Sequence, residues 1–131
     1  MSFLPSLTWA YWCVLIAALL PYASAYIAKA GAFGPADNQA PRQWSAKLGG
    51  WRARANAAMA NGFEGLPFFI GAVVIAHQLG AAQARIDQLA IAYVLLRIAY
   101  IGFYVAGRGT LRSAVWALGF IVNIALLFAG R

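Results

Sequence analysis

The stretch "ANGFEGLPFF", residues 60–69, places Glu64 inside an apolar run of a chain that has only three acidic residues in 131. A lone carboxylate in hydrocarbon costs roughly 2.5–3.5 kcal/mol on insertion scales, so it needs a partner or a task. The candidate partner is Arg97, in the middle of "YVLLRIAYIGFY". Counted at about 1.5 Å per residue, Glu64 lies roughly 17–20 Å and Arg97 roughly 14 Å from the same ends of neighbouring apolar segments, within about one turn of equal depth. A Glu64–Arg97 ion pair is therefore expected, with Asn61 one turn away beside Tyr100 or Tyr104. Tyr93, Arg97, Tyr100 and Tyr104 follow at steps of four, three and four, which puts them on one helix face. In "TLRSAVW" the first turn of the last apolar segment carries Arg112 and Ser113, where a guanidinium and a helix N-terminus act on one anion.

Each of these residues also has a structural reading. A buried ion pair can do no more than fix helix register, and Arg112 can simply snorkel to lipid headgroups. Asn123, deep in the last segment, reads as an interhelical hydrogen-bonding residue. His77, the single histidine, has no second ligand nearby, and no metal site is expected. Cys13 lies inside an apolar run, so it reads as a small hydrophobe, with no intrachain disulfide possible.

The elements that must position these groups follow from composition. The chain is 63% hydrophobic and 10% charged, far from a soluble domain of about 45–50% apolar and 25% charged residues. Four segments, about 7–27, 53–79, 86–106 and 111–129, reach the roughly 20 residues needed to cross a bilayer. The expected fold is all-α, a single transmembrane domain over residues 1–131. Pro21 and Pro67 fall inside helices and are expected to bend them or free a carbonyl.

The connections around "GAAQAR" and "GRGT" are short, which makes their neighbours antiparallel and gives an up-down-up-down four-helix bundle. Lys29, Arg42, Lys47, Arg52, Arg54, Arg108 and Arg112 flank the first and third connections, against Arg85 and Arg131 opposite. The excess puts those connections in the cytoplasm and both termini outside, in a bacterial inner membrane. The net charge of +7 is thus met by anionic lipid; the basic residues are dispersed and form no groove with interleaved aromatics, which argues against nucleic acid.

"NGFEGLPFF", "LRIAYIGFY" and "TLRSAVW", in that order and spacing, resemble the membrane-associated proteins in eicosanoid and glutathione metabolism, the MAPEG family. The resemblance implies a homotrimer with glutathione as co-substrate bound between subunits near the cytoplasmic side. It places Asn61, Glu64, Arg97, Tyr100 and Tyr104 along the glutathione site, with Arg112 and Ser113 at the thiolate. The chain departs from the family's synthases at Ala57 and Ala60, where they carry arginines that grip glutathione's carboxylates, and at Tyr100, where the prostaglandin synthase has a histidine.

Two functions stay open on these residues. One is a glutathione-dependent transferase or peroxidase acting on lipophilic electrophiles that enter from the bilayer. The other is a non-catalytic membrane protein whose buried polar cluster serves assembly or lipid binding. Arg112 with Ser113 favours the first, and the two alanines favour the second. A transporter fits less well, since there is one small polar cluster and no broken-helix repeat.

Overall fold

A computed structural model describes residues 6–130. Its main elements are α1 (Trp9–Lys29), α2 (Pro41–Ala46), α3 (Gly50–Gln78), α4 (Gln83–Val105) and α5 (Gly109–Leu127), with a 3-10 turn at Asp37–Gln39 before α2. All but α2 are long and apolar enough to cross a membrane, and at most 28% of each apolar window is buried. Large side chains such as Leu19, Leu95 and Ile121 point outward and are more than half exposed. Such a surface is stable in hydrocarbon, where helices satisfy their own backbone groups.

The ends of the long helices show why the chain turns where it does. Thr8 caps α1 by accepting a hydrogen bond from the Tyr11 amide at 3.2 Å. Gly80 and Gly107 adopt φ of +72° and +77° after α3 and α4. The Ala81 and Arg108 amides then donate back to the carbonyls of Ala76 and Phe103. These left-handed glycine closures return the chain within a few residues and keep the next helix close.

Small residues let the helices approach. Ala10, Cys13 and Ala17 of α1 meet Phe69, Ala72, Val73 and Ala76 of α3, with Ile86, Ala90, Tyr93 and Val94 of α4 closing the core. Where α1 crosses α3, a Cβ at Gly62 would stand 2.8 Å from Pro21 Cγ. Pro21 is thus a buried contact surface within an unbroken helix. Polar ties reinforce the crossing: Ser24 Oγ donates to the Ala55 carbonyl at 2.6 Å. At one end of α1, Asp87 accepts from the Ala10 amide at 2.9 Å. At the other, Arg52 donates to the carbonyls of Ala28 and Ala30 at 3.0 and 2.6 Å. Both charges complement the helix dipole.

Candidate functional site

The buried face of α4 carries the centre of the site. Tyr93, Arg97 and Tyr100 are 4%, 7% and 1% exposed, so the helical spacing of these residues turns a polar aromatic stripe inward. Tyr93 stacks on Phe69 at 4.1 Å between ring centroids. Its ring is threaded between two glycines: a Cβ at Gly65 would lie 3.3 Å from its hydroxyl, and one at Gly119 would lie 3.6 Å from its ring. The approach of α3 to α4 is tight at Gly65, while that of α5 at Gly119 is an ordinary van der Waals contact.

The expected ion pair is not formed. Among the described residues Glu64 has no ion pair or hydrogen bond, and the Arg97 guanidinium lies instead 4.0 Å from the ring centroid of Tyr100. The reason is helix rotation. Glu64 lies five residues before the core residue Phe69, which at about 100° per residue turns it roughly 140° from the buried face. It is accordingly exposed. Both residues nevertheless line one chamber of about 170 Å³, shared with Asn61, Trp116, Phe120 and Asn123. Two oxygens of that wall, Asn61 Oδ1 and Asn123 Oδ1, are buried without a hydrogen-bond partner. Asn123 was expected to bond between helices; it faces the Tyr93 hydroxyl on α4 but leaves its carbonyl oxygen unpaired.

Nearer the start of α5, Asn61, Tyr100, Arg112, Ser113 and Trp116 line a cavity of about 210 Å³. Arg112 also borders a third cavity of about 220 Å³, with Arg54, Tyr104 and Arg108. There its guanidinium stands 4.7 Å from the Tyr104 ring centroid. Tyr104 in turn meets Tyr100 edge to face at 5.6 Å. The seven residues singled out by type and spacing thus fall around three cavities in a row: Asn61 and Trp116 line both the first and the second, and Arg112 lines both the second and the third.

Two further arginines contribute to this region. Arg54 sends its Nε to the Val105 carbonyl at 3.1 Å, which draws it to the end of α4, while Arg108 reaches the same cavity from the connection. The three arginines line one cavity, Arg54 with its Nε already donating to the Val105 carbonyl. Ala57 and Ala60 contribute nothing to any of these cavities. At the opposite end of α3, His77 accepts or donates at 2.9 Å to Thr8 Oγ1, contacts the Val73 carbonyl at 2.8 Å and stacks on Tyr11 at 4.1 Å. It ties the start of α1 to the end of α3. No group of metal-binding side chains occurs among the described residues.

Four membrane-length helices enclosing an arginine-lined polar interior define an integral membrane protein of the small helical-bundle class. The MAPEG family model matches residues 9–130, nearly the whole chain. The chain belongs to the MAPEG family. No curated protein and no solved structure matches it.

Proposed function

We propose that the protein is a glutathione-dependent membrane enzyme, a transferase or peroxidase acting on lipophilic electrophiles. The observation that carries this reading is the position of Arg112. It stands in the first turn of α5, borders two cavities, and has Ser113 and Tyr100 beside one and Arg54 and Arg108 beside the other. Glutathione supplies a thiol and two carboxylates, and cavities of about 210 and 220 Å³ that meet at Arg112 suit a ligand with those groups at its ends. In this reading Arg112 stabilises the thiolate and the Ser113 hydroxyl donates to it. Arg54 and Arg108 hold a carboxylate in place of the arginines absent at Ala57 and Ala60. Asn61, Tyr100 and Tyr104 line the peptide.

A homotrimer is part of the proposal. Glu64 is exposed at membrane depth and, among the described residues, unpaired, a position that hydrocarbon disfavours for a carboxylate. A second copy lying along that face of α3 shields it. The proposal has the helices running up-down-up-down with both termini outside, a reading supported by the seven basic residues around the first and third connections. The alternative, a non-catalytic protein using the polar interior for assembly or lipid binding, draws its support from Ala57 and Ala60.

The deciding experiment is addition of glutathione to the detergent-purified protein at neutral pH. A thiolate absorbance near the ultraviolet edge is expected, followed by conjugation or reduction of a lipophilic electrophile. Arg112→Ala removes the signal without unfolding the protein, and Arg112→Lys restores part of it, since lysine keeps the charge but loses the planar fork. Absence of any thiolate signal at millimolar glutathione overturns the reading.

A further inference from the structure

We propose that the first connection, residues 30–49, is a folded clip that docks on anionic phospholipid headgroups through Arg42 and Lys47. The connection has a shape of its own. Successive turns run through it: the Phe33 amide donates to the Lys29 carbonyl at 3.1 Å, that of Asp37 to Gly34 at 3.0 Å and that of Ala40 to Asp37 at 3.1 Å. Phe33 and Trp44 then meet edge to face at 5.0 Å, and Lys29 Nζ lies 4.5 Å from the Phe33 ring centroid. α2 packs chiefly on the 3-10 turn at Asp37–Gln39, not on a long helix. The outer surface of the clip is thus left uncovered by the bundle.

Charge decides what covers it. The clip holds one acid, Asp37, and its carboxylate accepts from the Gly34 amide at 2.8 Å. Arg42 and Lys47 are exposed, and among the described residues no acceptor bonds either side chain. The free charge on this surface is therefore all positive. Its distance from lipid is bounded by the ends of α1 and α3, which Arg52 staples together through the carbonyls of Ala28 and Ala30. Both helices are of membrane-spanning length, so the clip rises from the edge of the bilayer itself. A basic residue held within the Debye length, roughly 8 Å, of an anionic leaflet favours the docked state about fivefold. At the same end Trp51 is 41% exposed, with the Arg52 guanidinium 4.3 Å from its ring centroid, and indoles settle at headgroup level. A soluble acidic protein would match the charge and leave this indole unused. A second copy brings the same positive clip and repels it.

The test uses the full chain in lipid nanodiscs without glutathione, so its failure leaves the thiol reading untouched. A nitroxide is attached to a cysteine at Gln43, an exposed position between Arg42 and Trp44, in a Cys13→Ala background. Discs of phosphatidylcholine alone are compared with discs in which roughly a third of the lipid is phosphatidylglycerol. With the anionic lipid, collisions of the label with a neutral aqueous nickel chelate are expected to fall about fivefold, and molar salt should restore them. Arg42→Gln combined with Lys47→Gln should lower the docked-to-free ratio about 25-fold, with thermal unfolding unchanged because both side chains are exposed and unpaired. Asp37→Asn, which keeps an acceptor for the Gly34 amide, should dock no more weakly. Equal accessibility in the two lipids overturns the proposal. So does protection that persists in phosphatidylcholine or in molar salt, which would mean that a second copy or the bundle covers the clip, and so does protection unchanged in the double variant.

Discussion

The guanidinium of Arg97 rests 4.0 Å from the ring centroid of Tyr100 and not on the carboxylate of Glu64. The buried cation is therefore stabilised by an aromatic face and by the polar chamber it borders. This arrangement changes what double mutants should show. With no direct contact, Glu64→Gln should cost less than about 1 kcal/mol, the range of exposed charges. The coupling between Glu64→Gln and Arg97→Leu should also stay below about 1 kcal/mol, where a buried ion pair broken on one side loses about 3–5. Thermal unfolding of the four species in one detergent measures it, and a coupling of about 3 kcal/mol would restore the direct pair.

The crossing of α1 and α3 gives a prediction about glycines. A methyl at Gly62 would sit 2.8 Å from the stiff ring of Pro21, whereas one at Gly71 would meet nothing within 4 Å. Gly62→Ala should lower stability by about 1–3 kcal/mol, as overpacking does. Gly71→Ala should be neutral or add up to about 1 kcal/mol, since alanine holds a helix better than glycine. Equal shifts in melting temperature for the two variants would mean that the crossing is looser than described.

What the sequence discloses is governed by whether the signal lies within one helix or between two. The lengths of α1, α3, α4 and α5 follow from apolar runs alone, and each boundary falls within three residues of the expected one. The inward stripe of Tyr93, Arg97 and Tyr100 also follows, because steps of three and four within α4 need no partner to be seen. The Glu64 geometry was misjudged because depth says nothing of rotation. The rotation was nonetheless available: Phe69, Ala72, Val73 and Ala76 define a face that Glu64 lies off. The meeting of Arg54 with Arg108 was not legible for a different reason. Their convergence depends on the Val105 carbonyl and the Gly107 turn, contacts between elements that no spacing records. The orphaned oxygen of Asn123 was equally invisible, since an asparagine in a membrane helix ordinarily finds a partner.

The proposed topology is open to labelling. Single cysteines at Gln39, in the first connection, and at Ala82, in the second, placed in a Cys13→Ala background, should react with a membrane-impermeant maleimide from opposite sides of sealed vesicles. Cys13 is buried, so its removal cleans the background at small cost. Reaction of both sites from one side would mean that α3 does not cross.

Arg52 and Arg54 are two residues apart in the first turns of α3, yet the structure gives them separate work. Arg52 donates to the carbonyls of Ala28 and Ala30 and so closes the end of α1. Arg54 uses only Nε on the Val105 carbonyl, and its remaining N–H groups border the cavity of Arg108 and Arg112. Arg52→Ala should therefore cost stability, about 1–2 kcal/mol for two charge-assisted bonds at a helix terminus, with glutathione affinity unchanged. Arg54→Ala should instead weaken glutathione binding about tenfold, roughly 1.4 kcal/mol. Arg54→Lys should recover only part of this, because a point charge cannot hold the Val105 carbonyl and a carboxylate in one plane. Ala60→Arg, which restores a carboxylate grip in the turn before Glu64, should compensate in the Arg54→Ala background. Titration calorimetry with glutathione, paired with thermal unfolding, separates the two residues. If both substitutions changed affinity alike, the three-arginine wall would not be the carboxylate site.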